Sequence, residues 1–344
     1  MTGCCFKVAP FGDDALAEES DGATPFLNVQ AAIDFADEHR ELGTRICVAG
    51  GHACQEVLYS GPSDADLRMR NGISVIGNHD PTSYTQCPGS VPVTILRPET
   101  APGVVFESDV QDDTALEGFI IRPGFNGART VGVTARGANG VRLGSLRIED
   151  GPNTEWCGID LVDTAAAIRD VSVYVQNTNK SVAVQAIGSS VYLEGTLDLR
   201  SLSSFFTGIW LENSPGSRIA ADVTVSNAVP SSVTQAVRLT GDAEGTRISE
   251  SSFAIASFAE ETTGILIEDC AGASPFLNAT IVVEASELGG TADGVRSRSC
   301  HPRIENSSIA VRGDRLRSLR GVACESGSSG GSRCILVNDQ ISTT

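Results

Sequence analysis

The residues of this chain that could do chemistry are few, and they are spread along its length. Asp112-Asp113 is an adjacent acid pair, His79 stands beside Asp80, His301 stands beside Pro302, and His52 sits in Gly51-His52-Ala53. Cleaving a glycosidic bond needs two carboxyl groups facing each other across the bond, one of them protonated. Adjacent acids in a turn instead solvate a loop. Nucleophilic catalysis needs a Ser or Cys with a base at its side and a third group that orients the base, and neither His79 nor His301 has such neighbours. The chain carries no Gly-rich phosphate loop, no CxxC pair at zinc spacing and no EF-hand loop. The sequence therefore predicts no catalytic residue, no metal site and no cofactor. A polysaccharide lyase or glycoside hydrolase with an unrecognised site is the alternative.

Binding is better provided for. Trp210 follows Phe205 and Phe206, and Arg238 stands one repeat later in the same place. Together these residues form a candidate platform for a sugar ring or a protein partner. The other reading packs both phenylalanines under the turn and leaves Trp210 as a single aromatic at the rim. One outward row is expected to read Thr134, Asp160, Gln185, Trp210, Arg238, Leu266, Arg296, a mixed polar ladder open to solvent. A second row, Ala254, Val282, Ala310 and Leu336, is small and apolar, which suggests cover by a loop, a neighbouring protomer or a further C-terminal segment. Arg218, Arg247, Arg303 and Arg333 form a third set, placed to bind an anionic glycan or to pair with nearby acids.

Composition narrows the partners. The chain has 344 residues and a formal net charge of −18, which disfavours nucleic acid and an anionic membrane surface. It contains no apolar run long enough to span a bilayer. Ten cysteines without metal spacing point to disulfides and an oxidising, extracellular location. The expected bridges are Cys270 to Cys300, which occupy the same place in successive repeats, Cys324 to Cys334, and Cys47 to Cys54. Thr2-Gly3-Cys4 also resembles the end of a bacterial lipoprotein processing site. The partners expected are a surface glycan or protein, with further domains or a homo-oligomer allowed by the bare C-terminal coil at Ile341-Ser342-Thr343-Thr344.

The elements that must position these residues are set by a repeat. Gly158-Ile159-Asp160-Leu161, Ala183-Val184-Gln185-Ala186, Gly208-Ile209-Trp210-Leu211, Ala236-Val237-Arg238-Leu239 and Gly264-Ile265-Leu266-Ile267 recur every 25 to 28 residues. The unit is a small residue, two apolar positions two apart, a polar turn and a second β-branched run such as Val223-Thr224-Val225. Strands this short, stacked at this period, form a parallel β-helix with a packed apolar lumen. The prediction is an all-β, right-handed parallel β-helix of about ten coils over residues 45–344, one continuous solenoid. Residues 1–44 precede it as a first strand and a capping α-helix over 28–42, with Asn28 as N-cap and Gly43 as the stop. The acidic stretch before that helix reads as a loop.

Val8-Ala9-Pro10-Phe11-Gly12-Asp13-Asp14 and Pro25-Phe26-Leu27-Asn28-Val29-Gln30-Ala31-Ala32-Ile33 resemble the N-terminal signature of an uncharacterised family of bacterial secreted and surface proteins with a pectin-lyase-like right-handed β-helix. Ile73-Ser74-Val75-Ile76-Gly77-Asn78-His79-Asp80-Pro81 is similar to that family's next marker, usually a Gly-Gly-Tyr-Asp turn, from which Asn78 and His79 depart. The resemblance implies the fold, the N-terminal cap and a surface or extracellular setting, and it carries no assigned chemistry. The functional expectation is a non-catalytic binding, adhesion or structural module.

Overall fold

A computed structural model describes residues 4–59, 67–89, 92–97, 102–124, 129–149, 154–176, 178–230, 233–271, 275–286, 290–313, 316–325 and 334–344. The fold is the right-handed parallel β-helix, with about nine turns. The chain divides into two compact units, residues 1–151 with 164–172, and residues 152–163 with 173–344. Arg333 and the Thr2-Gly3 pair lie outside the described residues.

In the first unit the strand Phe6–Val8 pairs in parallel with Arg45–Ala49, which pairs with Ser74–His79 in turn. Their alternate side chains Phe6, Val8, Ile46, Val48 and Val75 are all at most 1% exposed. Helix α1 (Asp14–Glu19) forms within the stretch that the sequence predicts as an acidic loop. Asp13 caps it by accepting from the Leu16 amide at 3.1 Å, and Gly22, at φ 77°, turns the chain back. Helix α2 (Val29–Glu38) starts at the expected cap, with the Asn28 carboxamide oxygen accepting from Gln30 and Ala31. It ends at His39, short of Gly43, and the chain reaches Gly43 through two backbone turns. α2 lays Val29, Ala32, Ile33, Phe35 and Ala36 against the first two strands. Phe6, Phe26 and Phe35 meet there at centroid distances of 5.4 to 6.5 Å. The helix thus covers apolar strand faces that would otherwise meet water.

In the second unit the repeat becomes register. Ile159, Val184, Ile209, Val237, Ile265, Val295 and Val322 stand on successive parallel strands, each paired with the next. The strands are Glu155–Val162, Lys180–Ile187, Phe205–Glu212, Val233–Asp242, Glu261–Ala271, Thr291–Arg298 and Ser318–Glu325. We call their sheet the groove sheet. The opposite sheet stacks Leu197, Val223, Phe253, Ile281, Ile309 and Ile341 in the same manner. Its outward row is Ala254, Val282, Ala310 and Ser342, so Leu336 does not belong to it. Leu336 pairs with Ile304, in the inward row of Ile219, Ile248 and Leu277. The chain there breaks into two short strands, Arg303–Glu305 and Ser308–Gly313, which shifts the alignment that sequence spacing suggests. Leu336 and Ile341 on the last coil remain 47% and 42% exposed.

Four disulfides join Cys4 to Cys47, Cys54 to Cys87, Cys270 to Cys300 and Cys324 to Cys334, while Cys5 and Cys157 stand outside these bridges. The expected bridge from Cys47 to Cys54 does not form. Cys47 sits in a buried strand beside Lys7 and bonds to Cys4, whereas Cys54 ends a 3₁₀ turn and bonds to Cys87. Three of the four bridges close loops of 30 to 43 residues between segments that stack side by side. Among the described residues no helix is long and apolar enough to cross a membrane.

Candidate functional site

The site is made by a bend in the groove sheet. In a flat strand, neighbours alternate faces, and residues i and i+3 lie on opposite sides about 10 Å apart. Here the recurring small residue and the apolar residue after it both face the lumen. A Cβ on Gly294 would sit 2.3 Å from Ile309 Cγ2 and 2.6 Å from the Gly321 carbonyl oxygen. One on Gly264 would meet the Gly294 carbonyl at 2.4 Å, and one on Gly208 the Ala236 carbonyl at 2.6 Å. The next residues, Val295, Ile265 and Ile209, are fully buried. Two inward residues in succession turn the strand, so the outward residues on either side of the turn converge. Arg296 and Asp293, three apart in one strand, form a direct ion pair, a contact only the bend allows.

Convergence makes a shallow groove whose polar residues must find partners. Asp293 is fully buried and accepts from Arg296 and from Arg320, whose Nε and Nη2 lie 2.6 and 2.9 Å away. An isolated buried carboxylate would be costly by several kcal/mol, and two guanidinium groups offset that. Arg296 also reaches Glu261 at 3.4 Å. Glu325 accepts from Arg298 at 2.8 Å and Arg320 at 3.1 Å. Glu268 accepts from Arg298 at 3.0 Å and pairs with Arg238 at 3.2 Å. The Arg238 guanidinium lies 5.0 Å from the centre of the Trp210 ring, and Lys180 Nζ lies 5.8 Å from it. Trp210 Nε1 donates to Thr240 at 3.1 Å. One continuous chain of contacts therefore crosses six neighbouring strands, from Lys180 through Trp210 to Glu325 and Glu261. The hydrogen bond from Arg298 holds the Glu325 carboxyl below its usual range. In return Glu325 raises Arg298, and Asp293 raises Arg320.

The pairing sets these carboxylates apart from a glycosidase acid. A glycosidase acid must hold its proton near neutral pH, which needs an apolar or acidic setting. All four carboxylates of the network are paired with guanidinium groups instead. Guanidinium ends and an indole, groups that stack, donate and attract anions, reach solvent beside the paired, part-exposed carboxylates of Glu325 and Glu261.

The structure brings Trp210 and Arg238 into contact, as the sequence placed them. Phe205 and Phe206 separate: Phe206 is 1% exposed in the lumen and Phe205 is 47% exposed. Most of the expected solvated ladder is not solvated: Thr134, Asp160, Gln185, Leu266 and Arg296 are 7% exposed or less, and Trp210 and Arg238 alone keep part of their surface in solvent. The third arginine set is no stack either. Its row reads Tyr192, Arg218, Arg247, Phe276, Arg303, Ile335, with Arg218 over the Tyr192 ring and Arg303 paired with Glu305. Asp112 accepts from Asn71, and Asp113 pairs with Arg142. His79 is buried, which lowers its pKa. One of its ring nitrogens lies within 4.8 Å of the sulfurs of Cys4 and Cys47, but those sulfurs are bonded to each other.

Sequence reading missed Asp293, Arg320, Glu268, Arg298 and Glu325. A signal was present: aligned on the repeat, the residue four after the small one reads Glu268, Arg298, Glu325, alternating in sign on adjacent strands.

No protein-family model matches the chain, and no curated protein matches it by sequence. Among solved structures it is similar to a GH136 lacto-N-biosidase from Eubacterium ramulus, with a TM-score of 0.49 and 10% identity over 99% of this chain and 68% of that one. It is similar also to PfbA, a surface adhesin of Streptococcus pneumoniae, with a TM-score of 0.35 and 10% identity over 91% of this chain and 89% of that one. At such identities and scores neither likeness bears on what the groove does.

Proposed function

We propose that this chain is a non-catalytic binding or adhesion module of an extracellular or cell-surface β-helix, and that it takes a surface glycan or protein on the Trp210 face. The observation that carries this reading is the network itself: every carboxylate in it is paired, while Trp210, Arg238, Arg298 and Arg320 keep part of their surface in solvent. Four disulfides suit an oxidising compartment. The resemblance of residues 8–33 to surface β-helix proteins supports the same setting, with residues 1–44 as the cover of a solenoid over 45–344.

The test is a glycan array and a pull-down from intact cell surfaces, each run with the wild type and with Trp210→Ala. The reading expects a partner that the substitution weakens about tenfold or more, the size of effect that a lost interface aromatic gives. Release of reducing or unsaturated ends from a polysaccharide would overturn it in favour of a hydrolase or lyase.

A further inference from the structure

At its centre the groove sets buried acids beneath part-exposed arginines. Side chains of Asp293 and Glu268 are 0% and 13% exposed, while those of Arg238, Arg320 and Arg298 are 34%, 36% and 42% exposed. Asp293 and Glu268 form a floor beneath these three guanidinium ends, while Glu325 and Glu261, 35% and 47% exposed, stand at the rim and Arg296 is buried. The network holds five cationic groups (Lys180, Arg238, Arg296, Arg298, Arg320) against four carboxylates (Glu261, Glu268, Asp293, Glu325). Adding Glu212, which shares the row of Glu268, brings the sum to zero. On a chain of net charge −18 a neutral groove is less acidic than the average surface.

We propose that the groove's ligand is an anionic saccharide, one bearing carboxylate or sulfate groups, held by Arg238, Arg298 and Arg320 beside Trp210. This rests on the reading of that face as a binding surface and names the class of ligand it takes. A guanidinium carries five N–H donors in a planar fork that matches a carboxylate or sulfate edge. The bonds described above use two on Arg298 and three on Arg320, so donors remain for a ligand. The buried acids fix the arginine rotamers before the ligand arrives, which removes the ordering cost that free surface arginines would carry. Arg238 and Arg298 stand two strands apart, roughly 10 Å at the usual strand spacing, a span suited to anionic groups repeated along a chain. Thr207 and Gln235, outward on neighbouring strands and partly open, offer hydroxyl and amide groups to sugar hydroxyls. The acidic remainder of the surface does not prevent this, because at physiological salt its field decays over about 8 Å.

The experiment titrates the intact, oxidised chain with three hexasaccharides: an oligogalacturonate, a heparin fragment and cellohexaose. An acidic hexapeptide serves as a fourth probe. The readout is intrinsic tryptophan fluorescence, with Trp210→Phe as the control that isolates Trp210 from the buried Trp156, and calorimetry confirms the affinity. One or both anionic saccharides bind, and their ratio separates a carboxylate ligand from a sulfate one. Affinity falls several-fold as NaCl rises from about 0.05 M to about 0.5 M, and Arg298→Gln weakens it about tenfold, as loss of a charge-assisted bond would. Because such a variant could perturb the fold, Arg298→Lys is measured beside it with thermal melts of both. A melt unchanged in the lysine form together with weakened binding supports recognition by the guanidinium fork. Binding of cellohexaose with no anionic preference overturns the anionic assignment and leaves the binding face standing. A preference for the acidic peptide overturns the saccharide. No quenching by any probe overturns the assignment and removes glycan from the broader reading as well.

Discussion

The two outer faces of the second unit are built from the same repeat and behave in opposite ways. On the opposite sheet, side chains alternate cleanly: Leu197 and Leu199 are fully buried, with Asp198 and Arg200 outward between and after them. The pairs on that face are local and wet, such as Asp198 with Arg200 at 2.7 Å and Glu284 with Arg312 at 3.4 Å. On the groove sheet the outward residues Asp293 and Arg296 are as buried as core residues. The difference is one extra inward position per strand. Where a strand is straight, an outward residue is free to be anything soluble. Where it bends, an outward residue is enclosed and must be satisfied, so its identity is constrained by its neighbours on two adjacent coils.

The largest effect that could break this contrast is expected at Asp293. Asp293→Ala leaves Arg296 enclosed without its main partner and takes two bonds from Arg320, a loss of about 3–5 kcal/mol by analogy with other broken buried ion pairs. Chemical denaturation monitored by circular dichroism reads it directly. A loss of under about 1 kcal/mol, the range of a surface pair, would mean that the groove is as wet as the opposite face.

The bend itself comes next. Gly294→Ala places a Cβ 2.3 Å from Ile309 Cγ2 and 2.6 Å from the Gly321 carbonyl oxygen, an overpacking expected to destabilise by about 1–3 kcal/mol. Straightening the strand to relieve it would also part Asp293 from Arg296. The check is a double-mutant cycle with Asp293→Ala: the two substitutions should be less than additive, since each disrupts the same convergence. Full additivity would uncouple the bend from the ion pair.

How much of this was legible in the sequence follows from the same contrast. The inner ladder was legible because a packed lumen admits only apolar side chains, and Ile159, Ile209 and Val295 recur at nearly constant spacing. The recurring Gly or Ala before them was visible too, but a small residue has many uses. Only the backbone shows that it faces inward beside a second inward residue. Hence Asp160 and Gln185 read as solvated rungs when they are buried. Trp210 and Arg238 were found because they stand on the row that the repeat marks, whereas Asp293 and Arg320 stand on the row before the small residue, which strict alternation leaves unremarked. Disulfides between equivalent places, as at Cys270 and Cys300, followed from the period. Cys4 and Cys87 lie where the repeat has not yet become regular, so no spacing pointed to their partners. Helix α1 was hidden for a simpler reason: six residues with one buried side chain carry too little pattern to read.

A smaller effect separates the faces by pH. Glu325 holds its proton less tightly when folded than a free carboxyl, chiefly through the bond from Arg298. A depressed carboxyl contributes stability that is full above its unfolded pKa, near pH 4.3, and is lost as pH falls through the lower folded value. The melting temperature of wild type and Glu325→Gln should therefore differ at pH 6 to 7 and converge on acidification, with the gap closing below about pH 4. A gap that stays constant with pH would assign Glu325 a packing role alone.

The smallest effect is expected on the face that serves as the reference. Asp198 and Arg200 are two residues apart on one outward row, with three hydrogen bonds between them at 2.7 to 3.0 Å. Geometry of that quality would suggest a strong pair if distance alone decided. Yet the Arg200 side chain is 60% exposed, so water competes for every donor and salt screens the attraction. Asp198→Asn keeps the size of the side chain and removes its charge, and it should shift stability by no more than about 0.5 kcal/mol. The same substitution at Asp293, Asp293→Asn, keeps size equally and should still be severalfold more damaging, because Arg296 is only 5% exposed and finds no water in exchange. Measured side by side, the two Asn variants differ in enclosure far more than in side-chain chemistry. Equal losses would show that proximity of opposite charges, rather than the bend, sets the energetics of both faces.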